Sequence, residues 1–412
     1  MGNKKTQEKS VDVLLQEFQT VLDHVGYNIS ANDYDKLEIT RPSRRTLLRR
    51  TGQSWSELKT ISTHIPQNST HKALLSQNQA LQSRLARQQD ITASILDTCR
   101  IELAKMKIPV VKVPPKEKQT SDQEFHAMVS DIHIGEYTDA TWVQGLARYD
   151  VETYRKRSDK WLEKIMLFRE QDKKSLGLNT FVQFYLGDIV TGESIYKGQA
   201  FSIDLNLVQQ LFMALEVEAA KLRTLASIFP EVVLYCVLGN HGRLNKAEHP
   251  GKTNFDYIFY RMLQQVMIGQ KNVHIYVSES PSMVVDRGKF TFLINHGDAA
   301  KSYMGTPYYG LERQFNKLHS LYGMIIDYEL VGHHHVPSKL GDKIYINGSY
   351  PGGSDLSVNR MNVASLPSQK IFYFDDDEGI NRESDLHLGD RIVLPLDKEG
   401  IYTPHDLREN EA

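Results

Sequence analysis

Phe181-Val-Gln-Phe-Tyr-Leu-Gly-Asp188 decides how this chain reads. An apolar and aromatic run of this length, stopped by Gly187 and a carboxylate, marks a buried strand that ends at a polar junction. Four further junctions repeat the pattern: Val129-Ser-Asp131-Ile-His133, Val237-Leu-Gly-Asn240-His241, Ile294-Asn-His296-Gly-Asp298 and Val331-Gly-His333-His-His335. A histidine after a strand is usually a hydrogen-bonded loop residue. Five such junctions in one chain instead supply oxygen and nitrogen donors in numbers that suit two divalent metal ions sharing a carboxylate.

Spacing refines the reading. Asp131 and His133 are two apart on an expected strand, so both side chains leave the same face and can hold one ion. His333 and His335 repeat this, with His334 between them turned away as a structural or supporting residue. Asp188 can bridge both ions, Asn240 offers a neutral carbonyl oxygen, and His296 completes the second set. Such a donor set leaves positions open for water and for phosphate oxygens, as in-line attack at phosphorus requires.

Together these residues resemble the calcineurin-like metallophosphoesterase superfamily, whose signature runs Asp-x-His, Gly-Asp, Gly-Asn-His-Asp/Glu, His and Gly-His-x-His. Here it reads Asp131-Ile-His133, Gly187-Asp188, Gly239-Asn240-His241-Gly242, His296-Gly297 and Gly332-His333-His334-His335. The resemblance spans about residues 124 to 375. It implies that Asp131, His133, Asp188 and His335 hold one metal, and Asp188, Asn240, His296 and His333 the other. It also gives His241 the catalytic histidine role of protonating the leaving oxygen or stabilising the transferring phosphoryl group. Two positions depart from the family. Gly242 stands where an acid usually orients the catalytic imidazole, and Asp188-Ile-Val-Thr-Gly-Glu193 lacks a second acid common there. Arg243 is a candidate for bidentate contact with substrate phosphate, with a surface pair to Glu248 as the alternative. Mn²⁺ is the expected metal, with Fe²⁺ and Zn²⁺ compatible with the same donors.

Outside the junctions the chain is asymmetric in charge. Its 412 residues carry a net −2, but residues 1–120 hold 19 Lys and Arg against 12 Asp and Glu (+7), leaving 30 against 39 (−9) for the rest. An acidic body suits cations and repels nucleic acid, so a polyanion would be held by the N-terminal part. That part begins with a helical stripe at Val11, Leu14, Leu15, Phe18, Val21, Leu22 and Val25. Next come two short expected helices, capped by Ser43 and Ser54 and joined through Thr51-Gly-Gln, with Arg41, Arg44, Arg45, Arg49 and Arg50 on and before the first. They read as a helix-turn-helix-like module over residues 1–70, able to grip DNA phosphates; a solvated basic face or a protein-docking module is the plainer alternative.

Residues 71–107 contain neither Gly nor Pro and predict a long helix. Leu74, Asn78, Leu81, Leu85, Gln88, Thr92, Ile95 and Cys99 trace a possible coiled-coil seam for a homodimer, or a face packed on the catalytic body. A Pro- and Lys-rich linker follows at 108–123, then the catalytic domain at 124–390 and a tail at 391–412. Strands and helices alternate from Phe125, first as helix crossovers and then as closely spaced strands. The expected fold is therefore α/β, two sheets packed face to face with helices outside. No apolar run reaches the roughly 18 residues of a membrane span. Two cysteines exclude a disulfide framework, so a cytoplasmic protein is expected.

These readings converge on a metal-dependent phosphoesterase acting on phosphodiesters. Its DNA-holding appendage resembles the nuclease subunit of double-strand-break repair complexes, with a phage or mobile-element origin in keeping with the fused module. The alternatives are a small-molecule or cyclic-nucleotide phosphodiesterase, a protein phosphatase, or a non-catalytic DNA-binding regulator.

Overall fold

The N-terminal helices form where apolar stripes and polar caps coincide. Helix α1 (Val11–Val25) buries Leu14, Phe18, Val21 and Leu22, the stripe that its 3.6-residue period sets on one face. Ser30 caps α2 (Ala31–Asp35), and Ser43 caps α3 (Arg44–Thr51) by accepting from the Thr46 amide at 3.1 Å. Gly52, at φ 70°, stops α3. Ser54 and Glu57 then cap α4 (Trp55–His64) reciprocally, with Glu57 N–H to Ser54 Oγ at 3.3 Å and Ser54 N–H to Glu57 Oε2 at 2.7 Å. The helices share a core of Phe18, Leu22, Tyr34, Leu47 and Leu58. In that core the rings of Phe18, Tyr34 and Trp55 lie within 5.5 Å of one another, centroid to centroid.

This computed structural model describes residues 10–389 apart from 26–28, 38–41, 65–68, 107–108, 117–122, 144, 194, 197, 245–250 and 302–305. Arg41, Glu248 and the tail therefore lie outside the described residues. The chain divides into two compact units, Met1–Ile91 and Thr92–Ala412. The division falls within helix α5 (Ser69–Lys105), not in the expected linker. The physical reason is that Cys99 is buried in the core of the second unit, with Ile95 and Leu103 packed against it. The last two positions of the expected coiled-coil seam are thus used within the chain. Further on, the Gln270 side chain bonds both backbone groups of Val111, accepting at 2.9 Å and donating at 3.1 Å.

The second unit is an α/β sandwich. Strands β1 (Gln123–Val129), β2 (Thr180–Tyr185), β3 (Glu231–Cys236) and β4 (Val273–Val277) run parallel, with helices α6 (Val151–Leu176), α7 (Leu207–Ile228) and α8 (Phe255–Val266) between them. The second sheet contains β5 (Ser282–Arg287), β6 (Phe290–Asn295), β7 (Tyr328–Val331), β8 (Ser338–Leu340) and β9 (Ile344–Ile346), in the order β5-β6-β7-β9-β8. Helix α9 (Tyr308–Tyr322) crosses between β6 and β7, and α10 (Asp355–Asn359) follows β9. Strands β10 (Ser368–Asp375) and β11 (Gly379–His387) return to the first sheet, giving β11-β10-β1-β2-β3-β4.

Burial on both faces explains the continuous apolar strands. Phe125, Ala127, Val129, Phe181 and Tyr185 belong to the core shared with α6, α7 and α8. The alternate residues Met128, Val182 and Phe184 meet Phe292, Ile294 and Leu330 of the second sheet. Leu311 and Phe315 of α9 cover that sheet's far side.

Two elements depart from what their sequence suggests. Residues 338–346 read as one strand but form a hairpin, because Gly341 takes φ 55°. The strand β11 was not foreseen, because its Asn-Arg-Glu-Ser-Asp stretch has no apolar alternation; β10 recruits it by antiparallel pairing.

Glu329 on β7 is fully buried, and its Oε1 accepts from Asn295 Nδ2 at 2.7 Å. Its Oε2 and the Asn295 Oδ1 have no partner, so a proton on Glu329 would complete a reciprocal acid–amide pair. Burial pushes this carboxyl up to about 7. A folded-state value above the unfolded one means that the folded chain holds the proton more tightly. Its contribution is present below the unfolded value and is lost as pH rises through about 7. Glu329→Gln is expected to raise stability at pH 8 by roughly 2–3 kcal/mol and to flatten the slope between pH 5 and pH 8 in urea unfolding. An unchanged slope would show that Glu329 is not its source.

Candidate metal centre

The junctions meet at the carboxyl ends of β1, β2, β3, β6 and β7, the edge where parallel strands present their ligands. Three groups of donors converge there: Asp131, His133 and His335; His133, Asp188 and His241; and Asp188, His296 and His333. Within each group the donor atoms lie within 4.8 Å of one another. Asn240 joins the last group, its Oδ1 3.0 Å from His296 Nε2. Asp188 belongs to two of the groups, and its Oδ2 stands 3.0 Å from His296 Nε2 and 3.9 Å from His133 Nε2. All seven expected ligand side chains are therefore gathered in one place, with His241 beside them.

The reason they gather differs from the expected one. β1 ends at Val129 and β7 at Val331, so strand alternation does not orient Asp131 and His133, or His333 and His335. Tight left-handed turns do. Six non-glycine residues among those described have positive φ, and five are Asp131, His133, Asp188, His333 and His335, at 51° to 66°. Each such conformation costs on the order of 1–3 kcal/mol and persists only where its surroundings impose it. Backbone bonds impose it here. Asp131 N–H donates to the Gly187 carbonyl at 3.1 Å, and Ile132 and His133 both donate to the Asp188 carbonyl at 2.9 and 3.1 Å. The glycines make the approach possible: a Cβ on Gly239 would run into the Asp188 carboxylate, and one on Gly332 would meet Asp131 Oδ2.

Residues that sequence reasoning missed hold the donors. Asp256, fully buried at the start of α8, accepts from the amides of Asp188 and Gly239 at 2.9 Å and of Ile189 at 3.1 Å. It thus ties the β2 and β3 turns together. Burial and then the Asp188 carboxylate push Asp256 up to about 6. The only signal in sequence was the Asn254 cap two residues before it, which marks a helix start but not where the acid reaches. Ser130 Oγ donates to Asp131 Oδ2 at 2.5 Å, and Asn347 Nδ2 donates to Ser130 Oγ at 2.9 Å. The His333 amide donates to both Asp131 oxygens at 3.0–3.1 Å.

These contacts also choose ring tautomers. His296 Nδ1–H donates to the Leu186 carbonyl at 2.7 Å, leaving Nε2 to face Asp188 and Asn240. Burial lowers its basicity, but the Asp188 carboxylate prevails and holds the imidazole at about 10. Burial takes His333 down to about 3 and His133 well below the usual range. His334 belongs to none of the three donor groups; it packs edge-on against His333 at 5.1 Å, and burial lowers it to about 4.

The donor set fits divalent cations. His133 Nε2 faces His335 Nε2 at 3.1 Å, with Asp131 Oδ1 3.2 Å from the latter, so lone pairs converge where a cation would satisfy them.

His241 donates its amide to Asp188 Oδ1 at 2.8 Å and its Nδ1–H to the Thr191 carbonyl at 2.9 Å. The carbonyl takes the orienting role for which an acid was expected. An acid at 242 would not fit, because a Cβ on Gly242 would be driven into Asn254 Oδ1. Arg243 bonds Asp298 at 2.5 Å, while its Nε is buried without a partner.

No protein-family model matches the sequence, and a comparison with curated proteins found no match. Among solved structures, the chain is similar to Vps29 of Entamoeba histolytica complexed with Zn²⁺ at 12% identity over 64% of this chain and 99% of that one, with a TM-score of 0.26. It is similar to a predicted phosphoesterase of Streptococcus pneumoniae at 13% identity over 64% and 97%, with a TM-score of 0.24. It is also similar to PhoD at 12% identity over 66% and 70%, with a TM-score of 0.29. Fold and site together define an α/β sandwich whose strand ends gather Asp, Asn and His side chains able to hold divalent metal.

Proposed function

We propose that the second unit hydrolyses phosphoesters with two divalent ions, in the manner of the calcineurin-like metallophosphoesterases, and that its substrate is a phosphodiester in DNA. The observation that supports this most is the sharing of Asp188 between two donor groups. Asp131, His133, Asp188 and His335 would hold one ion, and Asp188, Asn240, His296 and His333 the other. When bound, such ions polarise phosphoryl oxygens and supply a water nucleophile at neutral pH. Mn²⁺ is the first choice, with Fe²⁺ and Zn²⁺ suited to the same donors.

The chain's own groups do the rest. With Nδ1 committed to the Thr191 carbonyl, His241 has Nε2 left to exchange a proton with the leaving oxygen. Arg243, braced by Asp298, is a candidate contact for a phosphate oxygen. His241→Gln is expected to lower hydrolysis of bis-p-nitrophenyl phosphate about 10²- to 10⁴-fold while bound Mn²⁺ stays the same. Parallel loss of metal would instead make His241 a ligand.

DNA is the expected partner of the first unit. Arg45 and Arg49 are exposed on α3, whereas Arg44 is already paired with Asp35 at 2.9 Å. Replacing both Arg45 and Arg49 with alanine should weaken DNA binding and reduce the log–log salt slope by roughly 2. An unchanged slope would remove these arginines from the interface. A small phosphodiester is the second reading, favoured by the acidic excess of residues 121–412. The deciding experiment incubates the full chain and Mn²⁺ with linear, circular and single-stranded DNA and with bis-p-nitrophenyl phosphate. Hydrolysis of the last alone selects the small substrate; DNA binding without cleavage of any of them selects a regulator. The homodimer contact proposed over residues 71–107, whose seam positions Ile95 and Cys99 are used within the chain, is tested by the mass of the full chain in solution.

A further inference from the structure

Three segments leave the metal-bearing turns and carry exposed apolar side chains. The described residues of 134–149 follow His133, and those of 192–203 follow Asp188. Residues 351–366 are tied to His335 by Ser365 Oγ, which donates to the His335 carbonyl at 2.8 Å. The segments adjoin one another. Tyr137 N–H donates to the Ser202 carbonyl at 2.9 Å, and Asn359 Nδ2 donates to the Trp142 carbonyl at 2.8 Å. Val143 and Ala147 share a small buried cluster with Val358. On this surface Trp142 is 45% exposed, Phe201 87%, Leu356 43% and Met361 63%. The Trp142 ring is braced edge-on by Tyr137 at 5.6 Å. Tyr196 reaches the centre itself, its ring 6.1 Å from that of His241.

We infer that this collar stacks an unpaired nucleobase on the leaving-group side of the scissile phosphate, so that the substrate of the site is single-stranded or locally unpaired nucleic acid. The inference rests on the phosphodiesterase reading above. Flat exposed rings stack any base, and His241, the group proposed to meet the leaving oxygen, is the one Tyr196 adjoins. A duplex keeps its base faces stacked on one another, so only an unpaired base has a face free to stack on these rings.

The test compares single-stranded oligodeoxynucleotides of equal length, with bases and abasic, cleaved by the full chain with Mn²⁺. The base-bearing strand is expected to have a kcat/KM about ten- to hundredfold higher. Trp142→Ala and Phe201→Ala should shrink that ratio toward one and leave abasic cleavage unchanged. A ratio near one in the parent, or equal loss on both strands, overturns the inference. If the parent cleaves neither strand, the phosphodiesterase reading is what has failed for DNA. The collar is then read by binding: deoxynucleoside 5′-phosphate, but not deoxyribose 5-phosphate, should quench fluorescence in the parent and not in Trp142→Phe. Equal response to both ligands overturns it.

Discussion

Replacing Asp188 with asparagine is expected to lower phosphodiester hydrolysis by about 10³-fold or more and to reduce bound metal, while circular dichroism shows the fold retained. The size follows from position. Asp188 offers an oxygen to the group with His133 and to the group with His296 and His333, and its other oxygen accepts the His241 amide at 2.8 Å. One change therefore removes charge from both proposed ion sites and from the acceptor of the His241 amide. The amide isostere keeps the volume, and Asp256 still holds the backbone at 188 and 239. The comparison variant is Asn240→Ala, which touches one group only and should cost less. Equal losses in the two variants, or full metal content in Asp188→Asn, would show that Asp188 is not shared.

A second large effect lies away from the centre. Glu218 and Lys221 of α7 are 1% and 4% exposed, and Lys221 Nζ donates to both Glu218 oxygens at 2.9–3.0 Å. Tyr154 and Tyr185 donate their hydroxyls to the same carboxylate at 3.0 and 2.7 Å, and Lys221 lies over the Trp161 ring at 4.5 Å. Glu218→Ala would leave a buried ammonium without its counter-charge and two buried hydroxyls without their acceptor, at a cost of about 3–5 kcal/mol in urea unfolding. Glu218→Met with Lys221→Met should cost less than either single change, because no lone charge is left behind. Tyr350 extends the effect to the centre, since its hydroxyl accepts from Lys221 at 3.2 Å and its amide donates to the Asp131 carbonyl at 3.0 Å. A loss below about 1 kcal/mol for Glu218→Ala would show that water enters and rescues the pair.

Much of this molecule is legible in sequence because its signals are local. Apolar runs buried on two faces, such as Phe181–Leu186, stand out from their polar ends. Ser43, Gly52 and Ser54 mark helix ends by bonds that reach three or four residues. The strand β11 is not legible, because its placement comes from β10 and not from its own side chains. Asp256 is hidden for a related reason: its carboxylate serves amides 17 and 68 residues away.

The donors themselves divide the same way. Residue type and junction position alone determined which side chains are able to bind metal, since Asp, Asn and His carry that chemistry wherever they stand. Their orientation was decided only in three dimensions. The strands stop before the ligands, and left-handed turns, held by bonds between segments distant in the chain, swing Asp131, His133, Asp188, His333 and His335 together. No short-range pattern encodes that, because the residues that pay for the strain are far away in the chain and close only after folding.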